Sequence, residues 1–166
     1  MSAVAIRPEE PSDHAAIVVV TEAAFKGEKH SDGSEVAIVD RLRKDGDLTL
    51  SLVAEDAERI IGHVAVSPVT IDGKAGSWYG LGPLSVLPSL QRGGIGFRLM
   101  QRAIAEMRER GAAGIVLLGD PAYYARFGFE HDPRLEYPGP PPEYFQRLVI
   151  AGDAPTGVVS YAPAFG

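Results

Sequence analysis

The residues most able to do chemistry in this chain lie in the stretch Leu84-Ser85-Val86-Leu87-Pro88-Ser89-Leu90-Gln91-Arg92-Gly93-Gly94-Ile95-Gly96. Glycines at 93, 94 and 96 strip side chains from the entry to a long helical pattern. Successive backbone N–H groups can then converge on an anion at the positive end of a helix dipole. A phosphate is the natural ligand, and a glycine-rich helix start with no ligand is the plain alternative. Two familiar phosphate loops do not fit. A P-loop needs Gly-Lys followed by Ser or Thr, whereas Phe97 and Arg98 follow Gly96. A dinucleotide fingerprint needs a third glycine where Leu99 stands, in a chain-initial parallel unit.

Charge singles out the same region. Between Gln91 and Arg110 there are five arginines (92, 98, 102, 108 and 110) against Glu106 and Glu109, a basic island in a chain of net charge −6. Arg92, inside the turn, is the better ligand candidate. Arg98 and Arg102 form an i, i+4 pair, with a merely solvated helix face, Glu106 paired to Arg110, as the alternative. The acidic remainder makes a whole-surface nucleic-acid or anionic-membrane partner unexpected. The chain has no cysteine, hence no disulfide, thiolate metal site or cysteine nucleophile. Arg7, Glu9 and Glu10 stand where a signal peptide needs apolar residues, so the expected setting is the cytoplasm.

The elements that must position the turn follow from periodicity. A composition of 166 residues, 45% hydrophobic and 23% charged, predicts one domain spanning 1–166. Ala3–Arg7 reads as a strand. Pro11-Ser12-Asp13 caps a helix ending near Phe25, and Ser34 caps a second one carrying Val36, Val39 and Leu42. Leu48–Glu55, Arg59–Thr70 and Ser77–Val86 read as an antiparallel meander. A helix over Gly94–Arg110 buries Ile95, Leu99, Ala103 and Met107, with Met100 and Ile104 beside them. Gly114–Leu118 reads as a strand buried on both faces, making a crossover unit with the helix. Pro121–Arg126 predicts a short helix. Strands are expected from Phe129 onward, over Phe145–Ile150 and over Gly157–Tyr161.

Gln91-Arg92-Gly93-Gly94-Ile95-Gly96, after Val86-Leu87-Pro88 and before Phe97-Arg98-Leu99-Met100, resembles the signature of the GNAT superfamily of Gcn5-related, acetyl-CoA-dependent N-acetyltransferases. Gly80-Leu81-Gly82-Pro83, Gly119-Asp120-Pro121-Ala122-Tyr123-Tyr124 and Arg126-Phe127-Gly128-Phe129 are similar to its YhbS-like branch. Gly93 departs from the many members with a basic residue there, so one phosphate contact would either be weaker or come from Arg92 or Arg98. The resemblance implies an α/β (α+β) fold: a mixed, mostly antiparallel sheet flanked by helices, with a splayed parallel strand pair at the cofactor site. It implies acetyl-CoA as cosubstrate and no metal. Leu84, Ser85 and Val86 would pair with the pantetheine arm, and Gln91, Arg92, Gly93, Gly94, Ile95 and Gly96 would hold the pyrophosphate. Pro83, which lacks an N–H, suggests a bulge in that strand.

The implied reaction is acetyl transfer to a primary amine by direct attack in a ternary complex. Tyr124 stands where the family places the general acid for the departing thiolate, and the Val86 N–H would polarise the thioester carbonyl. No carboxylate occurs between Ser77 and Ser89, which excludes a glutamate base on that strand. Glu22, Glu28, His63 and Asp120 remain candidate bases, with none assigned. Substrate choice is expected from the Lys26–Gly33 loop and from residues 135–144. Residues 1–58 hold 13 acids against 6 bases, a surplus that favours a cationic amine or merely solubility. A non-catalytic acyl-CoA-binding or regulatory module on the same fold is the alternative, and a homodimer is left open.

Overall fold

The computed structural model describes residues 3–29 and 31–166. Strand β1 (Ala5–Pro8) leads into helices α1 (His14–Phe25) and α2 (Glu35–Asp45). A meander of β2 (Leu50–Asp56), β3 (Arg59–Ile71) and β4 (Lys74–Val86) follows. Helix α3 (Ile95–Glu109), strand β5 (Gly114–Leu118) and the short helix α4 (Pro121–Tyr124) come next, then β6 (Leu135–Glu136), β7 (Phe145–Val149) and β8 (Gly157–Ser160). The sheet runs β1-β2-β3-β4-β5-β7, with β8 bridging the end of β3 to β6. All pairings along the main path are antiparallel except β4 with β5. The mixed sheet, the flanking helices and the parallel pair match the sequence expectation.

Both meander turns use left-handed backbone, at Ala57-Glu58 and Asp72-Gly73, as two-residue hairpins require. The helical stripe of α3, namely Ile95, Leu99, Met100, Ala103, Ile104 and Met107, is buried throughout against Leu52, Ala54, Val64 and Val66 on one sheet face. On the other face α1 and α2 pack Ile17, Val20 and Val39 against Val53 and Ile60. The β4 strand is therefore held from both sides, which fixes the point where it enters the glycine turn.

Four expectations are corrected. No strand begins at Phe129; Glu130 makes a lone bridge to Arg147, because Pro133 has no N–H and the Asp132 carboxylate takes the Arg134 N–H (3.0 Å). Ser34 occupies the position before α2 without capping it, since its hydroxyl donates to Asp32 (2.5 Å). Asp13 does not cap α1 either; its carboxylate accepts from Arg7 and from the Glu10 N–H (2.7 Å). Glu106 pairs with Arg102 (3.0 Å), not with Arg110, which donates to the Thr49 carbonyl instead (3.1 Å).

Candidate functional site

Strands β4 and β5 pair only over Trp78–Gly80 with Gly114–Val116, after which they part. The pairing of β3 with β4 steps from Val64↔Leu84 to Val66↔Leu81, so Gly82 and Pro83 together oppose Ala65. This is the bulge that Pro83 suggests. Beyond it, Leu87 N–H donates to the Ile61 carbonyl (3.0 Å). Because N–H groups alternate sides in an antiparallel ladder, those of Leu84 and Val86 point away from β3, toward the edge where β5 has left. An extended amide-bearing chain has a ready partner there.

The open edge runs straight into the glycine turn. Residues Pro88–Leu90 form one 3-10 turn, Arg92 and Gly94 adopt φ of +69° and +84°, and α3 starts at Ile95. Gly94 needs no side chain to reach that left-handed conformation, whereas Arg92 carries strain there. The first-turn N–H groups of Ile95, Gly96 and Phe97 have no backbone acceptor and face the same side as the helix dipole. Gln91 folds its amide back onto the Val86 carbonyl (3.1 Å), pinning strand end to turn.

Arg92 and Arg98 are exposed and carry no ion pair among the described residues, leaving both guanidinium groups available to an anion. Arg102 is different: it ties α3 to β1 through the Ile6 carbonyl (3.0 Å) and to Glu106. Two arginines of the basic island are thus ligand candidates, and two, Arg102 and Arg110, are structural ties.

The Tyr124 ring rests on the backbone of Gly119, just past the end of β5; a Cβ on Gly119 would fall 2.2 Å from Tyr124 Cε2. Edge contact with Tyr123 (4.9 Å, 89°) fixes the ring further. Burial pushes the Tyr124 phenol up to about 12, with the nearby Tyr123 and Asp120 adding to the effect, so it keeps its proton at neutral pH. Tyr123 has its hydroxyl beside the turn: a Cβ on Gly96 would sit 3.6 Å from it. The absent side chain at 96 keeps the gap between α3 and α4 open.

Of the candidate bases, Glu22 is exposed on the outer side of α1. Asp120 caps α4 by accepting the Ala122 N–H (2.9 Å). Glu28 lines a cleft of about 270 Å³ with Phe25, Ser31, Glu35, Leu84, Val86 and Gln91. Glu35 was not foreseen, although Ser31 stands one turn before it and donates to its carboxylate (2.6 Å). His63 is fully buried on β3, directly opposite Ser85, and bonds to Ser51 (2.7 Å). The 135–144 segment reaches the site only at its end, where the Tyr144 carbonyl accepts the Gly119 N–H (3.0 Å). Tyr137 instead packs on Tyr161 and Phe145.

Residues 15–129 match the family model described as the acetyltransferase (GNAT) family. The chain belongs to the GNAT family. An Escherichia coli K12 relative, "Uncharacterized N-acetyltransferase YhbS", is 39% identical over 96% of this chain and 97% of its own. The crystal structure of that E. coli protein in complex with CoA shares 36% identity with a TM-score of 0.87, covering 99% of this chain and 93% of the other. A GNAT family acetyltransferase from Brucella melitensis, solved in complex with acetyl-CoA, is 48% identical with a TM-score of 0.89 over 99% of each chain. No helix among the described residues is long and apolar enough to cross a membrane.

Proposed function

We propose that the 166 residues act as one domain that transfers an acetyl group from acetyl-CoA to a primary amine, by direct attack while both substrates are bound. The observation that carries this reading is the continuity of the open β4 edge with the turn at the start of α3. The pantetheine arm pairs with Leu84, Ser85 and Val86, and the pyrophosphate rests on Gln91, Arg92, Gly93, Gly94, Ile95 and Gly96. The Brucella and E. coli relatives, solved with acetyl-CoA and CoA, support acetyl-CoA as the cosubstrate. The absence of any cysteine supports direct attack over a cysteine-bound acyl intermediate, and also a cytoplasmic setting.

In this reading the amine enters through the cleft lined by Glu28, Ser31 and Glu35, whose carboxylates favour a cationic acceptor. The Val86 N–H polarises the thioester carbonyl, and the tetrahedral intermediate collapses as Tyr124 gives its proton to the leaving thiolate. A phenol held protonated by burial donates a hydrogen bond as the sulfur charge develops. Thiol release from acetyl-CoA with a panel of primary amines, for the unaltered protein and for Tyr124→Phe, tests the assignment. Turnover on at least one amine is expected, with a loss of about 100-fold on substitution, the usual scale for a general acid. Tight CoA binding with no turnover on any amine, unaffected by Tyr124→Phe, would instead mark a non-catalytic acyl-CoA-binding module.

A further inference from the structure

A chain of polar groups crosses the interior behind β4, unused by the reading above. At its outer end Glu9 sits in a second cleft, of about 360 Å³, together with Arg43, Thr49, Ser51 and Arg110. Glu9 accepts from Arg43 (2.8 Å) and contacts His14 (2.9 Å). Burial works to raise its pKa, but the hydrogen bonds from Arg43 and Ser51 and the charges of Arg43 and His14 outweigh it, so the carboxyl is held below its ordinary value. Glu9 is thus an anion, and the Ser51 hydroxyl donates to it.

That fixes the histidine tautomer. Ser51 has one proton, committed to Glu9, so its oxygen accepts from His63 Nε2 (2.7 Å). Nε2 therefore carries the imidazole proton, and Nδ1 is a bare lone pair. Burial lowers the His63 pKa to about 4, which keeps the ring neutral; Glu9 opposes this and Arg43 adds to it. Nδ1 has no partner although fully buried, and neither does the hydroxyl of Ser85 directly across the ladder. Thr21 of α1, one turn before the Ala24 and Phe25 that line the acceptor cleft, is likewise buried and unpartnered. A buried lone pair without a donor is a costly arrangement to leave idle.

We propose that His63 is the proton relay of acetyl transfer, carrying the acceptor's proton from the cofactor strand to Glu9. As the C–N bond forms, the amine's N–H bond breaks and its proton goes to Ser85 Oγ, after rotation of that hydroxyl toward Nδ1. The former Ser85 proton passes to Nδ1, the Nε2 proton to Ser51, and the former Ser51 proton to the Glu9 carboxylate. After the product leaves, the same hops run in reverse, restoring the Nε2–H tautomer and the Glu9 carboxylate and releasing the proton from Ser85 to water in the emptied acceptor cleft. This explains how a strand without a carboxylate removes a proton. It rests on the acetyl-transfer reading of the same site.

His63→Gln is the discriminating variant, because an amide nitrogen can still donate to Ser51 while the side chain cannot take up a proton. Expected are an unchanged melting temperature and CoA affinity, an unchanged KM for the amine, and a kcat about 100-fold lower. Ser51→Ala is expected to lower kcat as well, and ¹⁵N spectra of the unaltered protein should show His63 protonated at Nε2 and bare at Nδ1. A ring protonated at Nδ1 would overturn the relay, as would turnover that His63→Gln leaves intact. Absence of turnover by the unaltered protein on every amine would overturn the transfer reading, and the relay with it.

Discussion

Gly119→Ala offers a test of Tyr124 that leaves the tyrosine itself in place. The backbone at 119 is not in the left-handed region, so alanine fits its conformation. Its Cβ would lie 2.2 Å from Tyr124 Cε2, 2.9 Å from Cδ2 and 3.2 Å from Cζ. Carbon atoms pack at about 3.5 Å or more, so the ring must retreat by about 1.3 Å. Tyr124 is only partly buried and can swing outward, which places the stability loss near the low end of the ~1–3 kcal/mol typical of overpacking. Displacing a proton donor by ~1 Å is expected to lower kcat by about 100-fold. CoA affinity should stay within about twofold, since a ring swing leaves the turn untouched. The assay is thiol release at saturating acetyl-CoA with the best amine of the panel, beside a CoA binding isotherm. Gly76→Ala, where a Cβ meets nothing within 4 Å, is the silent control. The double variant Gly119→Ala/Tyr124→Phe should be no slower than Tyr124→Phe alone, because both remove one function. A folded Gly119→Ala protein with undiminished kcat would refute the role given to Tyr124.

Arg102→Ala should lower stability by about 1 kcal/mol, the scale of a partly exposed charged hydrogen bond, and leave CoA affinity unchanged. Arg98→Ala should do the reverse, and binding isotherms beside thermal melts separate the two. Acid should weaken the fold through Asp132. Hydrogen bonds from Arg134, opposed by burial and joined by one from Arg147, hold that carboxyl far below the usual range. A depressed carboxylate stabilises the fold above its unfolded pKa of about 4 and loses that contribution as pH falls further. Melts of the unaltered protein and of Asp132→Asn should therefore differ at pH 7 and converge below pH 4; a constant difference would contradict the assignment.

What the sequence made legible was mostly local. The stripe Ile95, Leu99, Ala103 and Met107 shows its period within one helix, Gly114–Leu118 is bounded by its own glycines, and the turn is written in consecutive residues. Pro83 announced a bulge because a missing N–H is visible in any alignment of letters with backbone. Groups that meet through folding were not legible. Glu9, Ser51 and His63 lie 42 and 12 residues apart, and only the β1-β2-β3 register brings them together. Arg102 reaches the Ile6 carbonyl across 96 residues, and Glu106 pairs with Arg102 rather than Arg110, a choice that helical spacing alone leaves open. The segment after Phe129 has strand-like composition, yet past the single Glu130–Arg147 bridge the Arg134 N–H goes to the Asp132 carboxylate rather than to a ladder.

The central claim is that the β4 edge and the turn at α3 form one cofactor site. A crystal structure with acetyl-CoA tests it most directly. The account predicts the pantetheine arm along the β4 edge at Leu84–Val86 with the thioester carbonyl on the Val86 N–H, the pyrophosphate within hydrogen-bond reach of the backbone between Gln91 and Gly96, and the thioester sulfur facing Tyr124. Phosphates bound elsewhere, with that turn unoccupied, would contradict it.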